Sequence, residues 1–480
     1  MTQPTSPSDP SDPSGVLDEP GAPDGPGLRG DPGVPSAPGV PSDPGAPSES
    51  GAPTEPEPAA PAPPAIEQPA SHRDAVELFG PRFQDTPAEV YRELRNAYGP
   101  VAPVLLPGGV PAWLVLGYRE LLRVTENTKV FGRGSARWKL WPQIPPDWPL
   151  RPMVEDNGSL LYREGDDHRR RAGAVGSALE AVDLNQMQDA TQSFAQGLID
   201  KLSEGSRADL VADYAHPLPV LALSRVLGLS DSEGVALVKA INDMVDGGPD
   251  ALRGQLEVRG TMERLVARKR ADPGPDATSR MLADGAGLTD QEVVEDLMVL
   301  TLAGHQPCTD WIGMTLWLLL TDHDYAADMG GGRRSVRQAM HQVLRDHTPV
   351  QIFAGRFTTQ DTVLGATRIP AGDLVLLGLA GANTDPYIRP QAGGVAGPEG
   401  HNAYMSYSHG EHRCPYAGQW IAEVVAHTAV ETLLEHLPDV ELAVPADELR
   451  WRPSPWLRGL TSLPVTYTPA HSYTGGFGWD

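Results

Sequence analysis

Residues 405–425 read MSYSHGEHRCPYAGQWIAEVV, a polar, glycine-containing loop that runs into an apolar segment of helical period. The loop holds Cys414, one of two cysteines in 480 residues, the other being Cys308. A cysteine used for packing belongs on an apolar face. One in an open loop at a helix start is placed for thiolate chemistry, because helix N-termini and positive neighbours lower its pKa. Cys308, inside an apolar run, reads as a small core residue. A further place could do chemistry: His305, Gln306, Pro307, Thr309 and Asp310 cluster in the middle of the longest apolar stretch. By themselves His168 and Arg171 in EGDDHRRR (164–171) fit a solvated basic patch, and Arg356 fits a pair with a surface acid such as Asp361.

The element that carries the cluster at 305–310 is long. Residues 289–322 read TDQEVVEDLMVLTLAGHQPCTDWIGMTLWLLLTD. Thr289 followed by Glu292 matches a capping box, and a helix of about 30 residues spans about 45 Å. No charged residue occurs between Asp296 and Asp310. That length suits a membrane span, but polar groups at its centre are costly in lipid, so a helix through the middle of a large domain is expected. Pro307 cannot donate to the carbonyl of Ala303. With Gly304 alongside, the helix is expected to bulge there and expose a backbone acceptor.

The first 70 residues hold 20 of the 49 prolines, 11 acids and a single base, Arg29. Such a stretch cannot bury enough apolar surface to offset its ordering entropy, so a disordered tail is expected over 1–70. One large domain is expected over 71–470, with a short C-terminal tail over 471–480; the loop GGVAGPEG (393–400) is too short to divide it. The first residues lack the basic and apolar regions of a signal peptide. Together with two distant cysteines this points to a reducing, cytoplasmic setting. The net charge of −25 argues against nucleic-acid binding through a basic surface. Only five of 38 basic residues are lysine, a bias of GC-rich, actinobacterial genomes.

Taken together, these motifs resemble the cytochrome P-450 family across residues 75–470. The family's haem loop has an aromatic, Gly, His or Arg, and the ligand Cys, which here match Tyr407, Gly410, His412 and Cys414. AGHQPCTDW (303–311) falls where the family's oxygen-binding helix lies, with Ala303 and Gly304 on its haem side. HQVLRDHTPVQ (341–351) resembles the supporting helix. The segment 355–386 resembles the strands that give Arg356 to one haem propionate, and EGDDHRRR resembles the segment giving His168 and Arg171 to the other. The resemblance implies a mainly α fold with small β-sheets, shaped as a triangular prism. It also implies haem b held by Cys414, a small organic substrate, and electrons from a ferredoxin and its reductase.

Three departures from the family's pattern stand out. The helix normally carries an acid and an alcohol that pass protons to dioxygen, and here those positions are Gln306 and Pro307. Gln306 cannot act as an acid near neutral pH, so a relay must use Thr309, Asp310, His305 or ordered water. The supporting helix normally reads Glu-x-x-Arg, and here it reads Gln342-Val-Leu-Arg345. Between Arg389 and Arg413 no base but histidine occurs, so an anion and a cation are expected to be missing together, with a neutral Gln342–Arg345 contact in their place. Finally, Pro415 and Tyr416 follow the cysteine. Pro415 removes an N–H that could have reached the sulfur, and Tyr416 is expected to add bulk beside the proximal haem face.

AGHQP, DWIG and SPWLRGL (454–460) look most like an actinobacterial group encoded in conserved operons with a sensor-type kinase and a small GTPase, known for irregular Glu-x-x-Arg motifs. The resemblance implies a haem-thiolate monooxygenase. Its rivals are a haem-binding signalling component with little turnover, partnered by that GTPase or kinase, and a peroxide-driven oxygenase.

Overall fold

The computed structural model describes residues 69–245, 251–330, 335–389 and 403–469. The expected tails, and the 393–400 loop, lie outside those residues except for Pro69 and Ala70. Helices α1 (Pro81–Asp85), α2 (Pro87–Tyr98) and α3 (Tyr118–Glu126) precede a run of long ones: α4 (Gly165–Glu180), α5 (Leu184–Leu202), α6 (Pro217–Leu227), α7 (Asp231–Val245) and α8 (Ala251–Ala271). Then come α9 (Ala277–Ala283), α10 (Asp290–Thr321), α11 (His323–Gly330), α12 (Val336–Asp346), α13 (Leu379–Asn383) and α14 (Tyr416–His436). The architecture is mainly α with small sheets, as the resemblance implies.

Helix α10 is the axis of the larger core. Its start is the expected capping box: the Glu292 amide donates to Thr289 Oγ1 at 3.2 Å, and Glu292 Oε2 accepts from the Thr289 amide at 2.8 Å. Val293, Val294, Leu297, Trp311, Ile312, Met314, Leu316 and Leu318 are buried along it. At about 1.5–3 kcal/mol per buried large apolar side chain, this burial dominates what holds the helix in place. The helix packs on α6, α8, α12 and α14, and α14 contributes Ile421, Val425, Ala426, Ala429, Val430 and Leu433 to the same core. The expected bulge at Pro307 is not seen: residues 290–321 form one uninterrupted α-helix with the proline inside it. Packing on four neighbouring helices holds the geometry that the missing hydrogen bond would otherwise loosen. Among the described residues no helix is long and apolar enough to cross a membrane.

The sheets carry the second set of positions. Strands β1 (Val76–Glu77), β2 (Val101–Leu106), β3 (Val110–Val115), β4 (Phe131–Gly132), β6 (Phe353–Thr358) and β9 (Leu374–Leu377) form one sheet in the order β1-β2-β3-β9-β6-β4. Strands β5 (Arg207–Asp209), β10 (Glu441–Leu442) and β11 (Pro464–Thr466) form a second, and β7 (Thr362–Leu364) with β8 (Thr367–Ile369) a hairpin. The β6–β9 register shifts between Phe353 and Arg356. A bulge of this kind re-aims the following side chain, and here that side chain is Arg356, 1% exposed.

Candidate functional site

The Cys414 loop closes on itself before α14 begins. The Cys414 amide donates to the Tyr407 carbonyl at 3.0 Å, and Pro415 caps the helix. Gly410 sits at φ +77°, and a Cβ there would collide with the Thr125 carbonyl oxygen, so the loop can rest on α3 only with glycine at this position. Ser408 takes φ +61° without that freedom. Burial pushes the Cys414 thiol up to about 12, the reverse of what its place before a helix predicts. Desolvation wins because no cation faces the sulfur: Arg413 lies outward, its guanidinium 4.3 Å from the centre of the Tyr416 ring. Tyr416 is itself 54% exposed, as is Trp420 at 51% one turn on, so Tyr416 lies on the surface and not against a buried face. A coordinating metal would invert this thiol chemistry, since thiolate ligands bind deprotonated.

Beside this loop is a cluster of two guanidiniums and two imidazoles. The His168 and His412 rings stack at 4.0 Å, and His412 Nε2 lies 2.9 Å from the Arg163 carbonyl. Arg356 lies close enough to both histidines to act on them, as does Arg133, which donates from Nε to the Leu161 carbonyl at 2.6 Å and from Nη1 to Ala354 and Gly355. Among the described residues neither arginine has an ion pair. His168 Nδ1, His412 Nδ1, and Arg356 Nε and Nη1 are buried without partners. Burial, then the neighbouring guanidiniums, pushes His412 down to about 2, and burial takes Arg356 well below its ordinary value. Asp361 pairs with Arg368 at 3.0 Å instead of with Arg356. Glu164 and Glu411 act on the cluster from a distance without pairing with either arginine, and buried cations without a paired counter-charge cost free energy. A group carrying two carboxylates, such as the propionates of haem b, removes that cost, and Cys414 offers the ligand such a haem takes. The residues therefore fit the group.

Arg171 does not join this cluster, and its assignment to a propionate is corrected. Its guanidinium grips Asp296 of α10 with bonds of 2.9 and 2.5 Å and donates to the Gly158 carbonyl at 2.7 Å. It fastens α4 to α10. Arg133, which no motif marked, stands with the other donors in its stead.

On the opposite wall, Leu302, Ala303 and Gly304 are exposed between the buried residues Thr301 and His305. Asp310, 3% exposed, accepts a hydrogen bond from Gln306 Nε2 at 2.9 Å. Burial pushes its carboxyl up to about 7. Thr309 is buried with Oγ1 unpartnered, so it adjoins this pair without a hydrogen bond to it. His305 turns to His216, ring centres 4.3 Å apart.

The supporting helix also differs from expectation. Asp346 lies 3.4 Å from Arg345 and 2.6 Å from Arg389, and Arg389 Nη2 donates to the Arg345 carbonyl at 3.1 Å. A carboxylate between two guanidiniums is thus present, one residue beyond Arg345. The expectation that both charges are lost is corrected. Gln342 lies on the same helix one turn before Arg345.

No protein-family model matches the chain. It is 30% identical over 401 residues to biflaviolin synthase of Streptomyces coelicolor, covering 82% of this chain and 95% of that protein. It is 29% identical over 401 residues to vitamin D(3) 25-hydroxylase of Pseudonocardia autotrophica, covering 82% and 96%. Among solved structures, CYP154C4 from Streptomyces sp. W2061 superposes with a TM-score of 0.73 at 27% identity, covering 82% of this chain and 97% of that one. Similarity of this extent, over nearly the full length of a named relative, makes the chain a member of the cytochrome P450 family of haem b monooxygenases.

Proposed function

We propose that this P450 is the terminal oxygenase of a ferredoxin-fed electron chain and oxidises a small organic substrate with an unusual supply of protons. The carrying observation is the placing of Cys414 beside two buried arginines that have, among the described residues, no ion-pair partner. When bound, haem b supplies the iron at which dioxygen is reduced and one oxygen atom is transferred. The chain's residues do the rest. Arg133, His168, Arg356 and His412 would hold the haem's carboxylates, and Cys414 would be the ligand to its iron. Leu302, Ala303 and Gly304, the exposed ledge of α10, would line the side on which substrate and oxygen are taken up. Gln306 and Pro307 cannot donate a proton, so electrons leak to hydrogen peroxide more readily than with an acid and alcohol there. A general acid is worth about two to four orders of magnitude in rate.

The experiment is a purification followed by three measurements: haem content, the reduced carbon monoxide spectrum, and NADPH consumption with ferredoxin and its reductase. The expected result is the thiolate-type band, lost in Cys414→Ser while the chain still folds. An unchanged band in that variant removes the proposal. Gln306 and Pro307 also support a second reading, in which added peroxide drives oxidation faster than the ferredoxin route; side-by-side rates separate the two. We also place the protein with the operon-associated actinobacterial group, partnered by a small GTPase or sensor-type kinase. The motifs AGHQP and SPWLRGL and the glutamine at 342 support that placement.

A further inference from the structure

We infer that protons enter from the C-terminal hairpin at residues 450–460, passing Arg452 to Asp310, which Gln306 holds in position. This rests on the monooxygenase reading and deepens it. Asp310 lies in the core of the molecule, and a C-terminal hairpin, exposed at Arg450 and Pro453 and buried at Gly459, reaches it. The Arg452 amide donates to the Gly459 carbonyl at 2.9 Å, and Trp451 bridges to Leu460. Trp451 is held between Trp317 of α10, ring centres 5.1 Å apart, and the Arg458 guanidinium at 3.6 Å. The hairpin is thereby pressed so close to α10 that a Cβ at Gly459 would collide with Asp310 Oδ1. Arg452 Nη2 lies 3.8 Å from the same oxygen, and its side chain is 20% exposed while that of Asp310 is 2% exposed. Arg452 is therefore the polar step between this carboxyl and solvent.

The surroundings are polar and under-bonded. Asp310 Oδ2, Gln306 Oε1, Thr309 Oγ1, Arg452 Nε and His216 Nδ1 are buried without a partner, and His305 finds only the His216 backbone. Buried polar atoms are ordinarily satisfied, and ordered water, making about three hydrogen bonds, is the partner that suits a cluster of this kind. Arg452 is the one charged group acting on Asp310. His216, from the start of α6, and His305 stay neutral, since burial pushes the first down to about 4 and the second well below its ordinary value.

The stoichiometry gives such a route work to do. Hydroxylation takes RH + O2 + 2 e− + 2 H+ to ROH + H2O, the electrons coming from a reduced ferredoxin. Without substrate, O2 + 4 e− + 4 H+ gives 2 H2O, whereas O2 + 2 e− + 2 H+ gives H2O2 and demands fewer protons. Asp310 gives up its carboxyl proton to ordered water on the way to Ala303, which lies on the same face of the helix about 10 Å away, and takes another from solvent past Arg452. It acts only when protonated, so the water share of the product must fall as pH rises through its midpoint. Gln306, Arg452 and Gly459 are positioning residues.

The test uses the haem-loaded enzyme, ferredoxin with its reductase, and no substrate. The carboxyl carbonyl band lost in Asp310→Asn, followed by infrared titration, gives the midpoint of Asp310. The ratio of hydrogen peroxide to NADPH consumed gives the electron fate at each pH. The two midpoints are expected to coincide. Arg452→Met removes the cation that favours the carboxylate, so both midpoints should move up together by about one pH unit, and Arg452→Lys should restore them. Asp310→Asn should raise the peroxide share several-fold and flatten its pH profile. A peroxide share that ignores Asp310→Asn, or a profile that stays put when the infrared midpoint moves, overturns the route. Neither result touches the carbon monoxide band, on which the monooxygenase reading stands.

Discussion

Two buried polar clusters sit within this protein, and they are built on opposite plans. Arg133, His168, Arg356 and His412 bring guanidiniums and imidazoles together with no acid paired to either arginine, and several of their nitrogens are unpartnered. His216, His305, Gln306, Asp310 and Arg452 mix donors with acceptors, and the one acid has an amide and a guanidinium beside it. The first cluster is incomplete by itself and is made whole by a doubly anionic ligand. The second holds an acid and a cation of its own, so it can gain or lose a proton without a ligand. Pre-organised binding and reversible titration thus require different charge inventories, even within one domain.

The largest test of this contrast is a control outside both clusters, at the compensated ion pair of Arg171. Arg171→Leu leaves Asp296, 0% exposed, without its counter-charge and should cost about 3–5 kcal/mol by chemical denaturation. A loss below about 1 kcal/mol would mean that the α4–α10 clasp is not structural. Next in size is Asp310→Asn in the haem-free protein. The folded carboxyl is raised to about 7 from an ordinary 3.8, so Asp310 favours folding below its unfolded value and loses that advantage as pH climbs through the folded one. The variant should therefore gain stability over the native chain between roughly pH 4 and pH 7, by a few kcal/mol at the upper end. A difference that is flat across that window would show that Asp310 ionises freely.

Arg356→Leu tests the first cluster. The haem-free protein should be no less stable, and more stable by about 1 kcal/mol, since an uncompensated buried cation is gone. Haem transfer to an acceptor protein should nevertheless quicken about tenfold or more. Stability and retention moving in the same direction would contradict the account of an unpaired arginine. The smallest effect is expected at Ser408. Glycine at this position relieves a left-handed backbone, so Ser408→Gly should stabilise the fold by about 1 kcal/mol, visible as a higher Tm with an unaltered spectrum.

How much of this was legible in the sequence depended on how far apart the partners lie along the chain. Cys414 was readable because a rare residue stood in a polar loop, and α10 because its capping box and apolar run are local. His168, Arg356 and His412 were readable only through motifs. The role of Arg171 was misread because its acid lies 125 residues away on another helix. Arg133 and Arg452 carried no mark at all, since their neighbours gather from distant segments. Asp346 was overlooked for a different reason: attention to the position of Gln342 hid a carboxylate four residues on. Pro307 suggested a disrupted helix because sequence shows the lost hydrogen bond but not the four helices that brace it.

Trp420 has an optical consequence. Among the described residues it is the one tryptophan more than half exposed, and it lies on α14 six residues beyond Cys414. A water-soluble quencher reaches its indole before those of Trp138 or Trp311, which are buried. Its emission is thus a native, label-free signal from the surface nearest the thiolate. Any protein that seats there will shield it, and the concentration at which quenching is lost gives the affinity of that encounter directly.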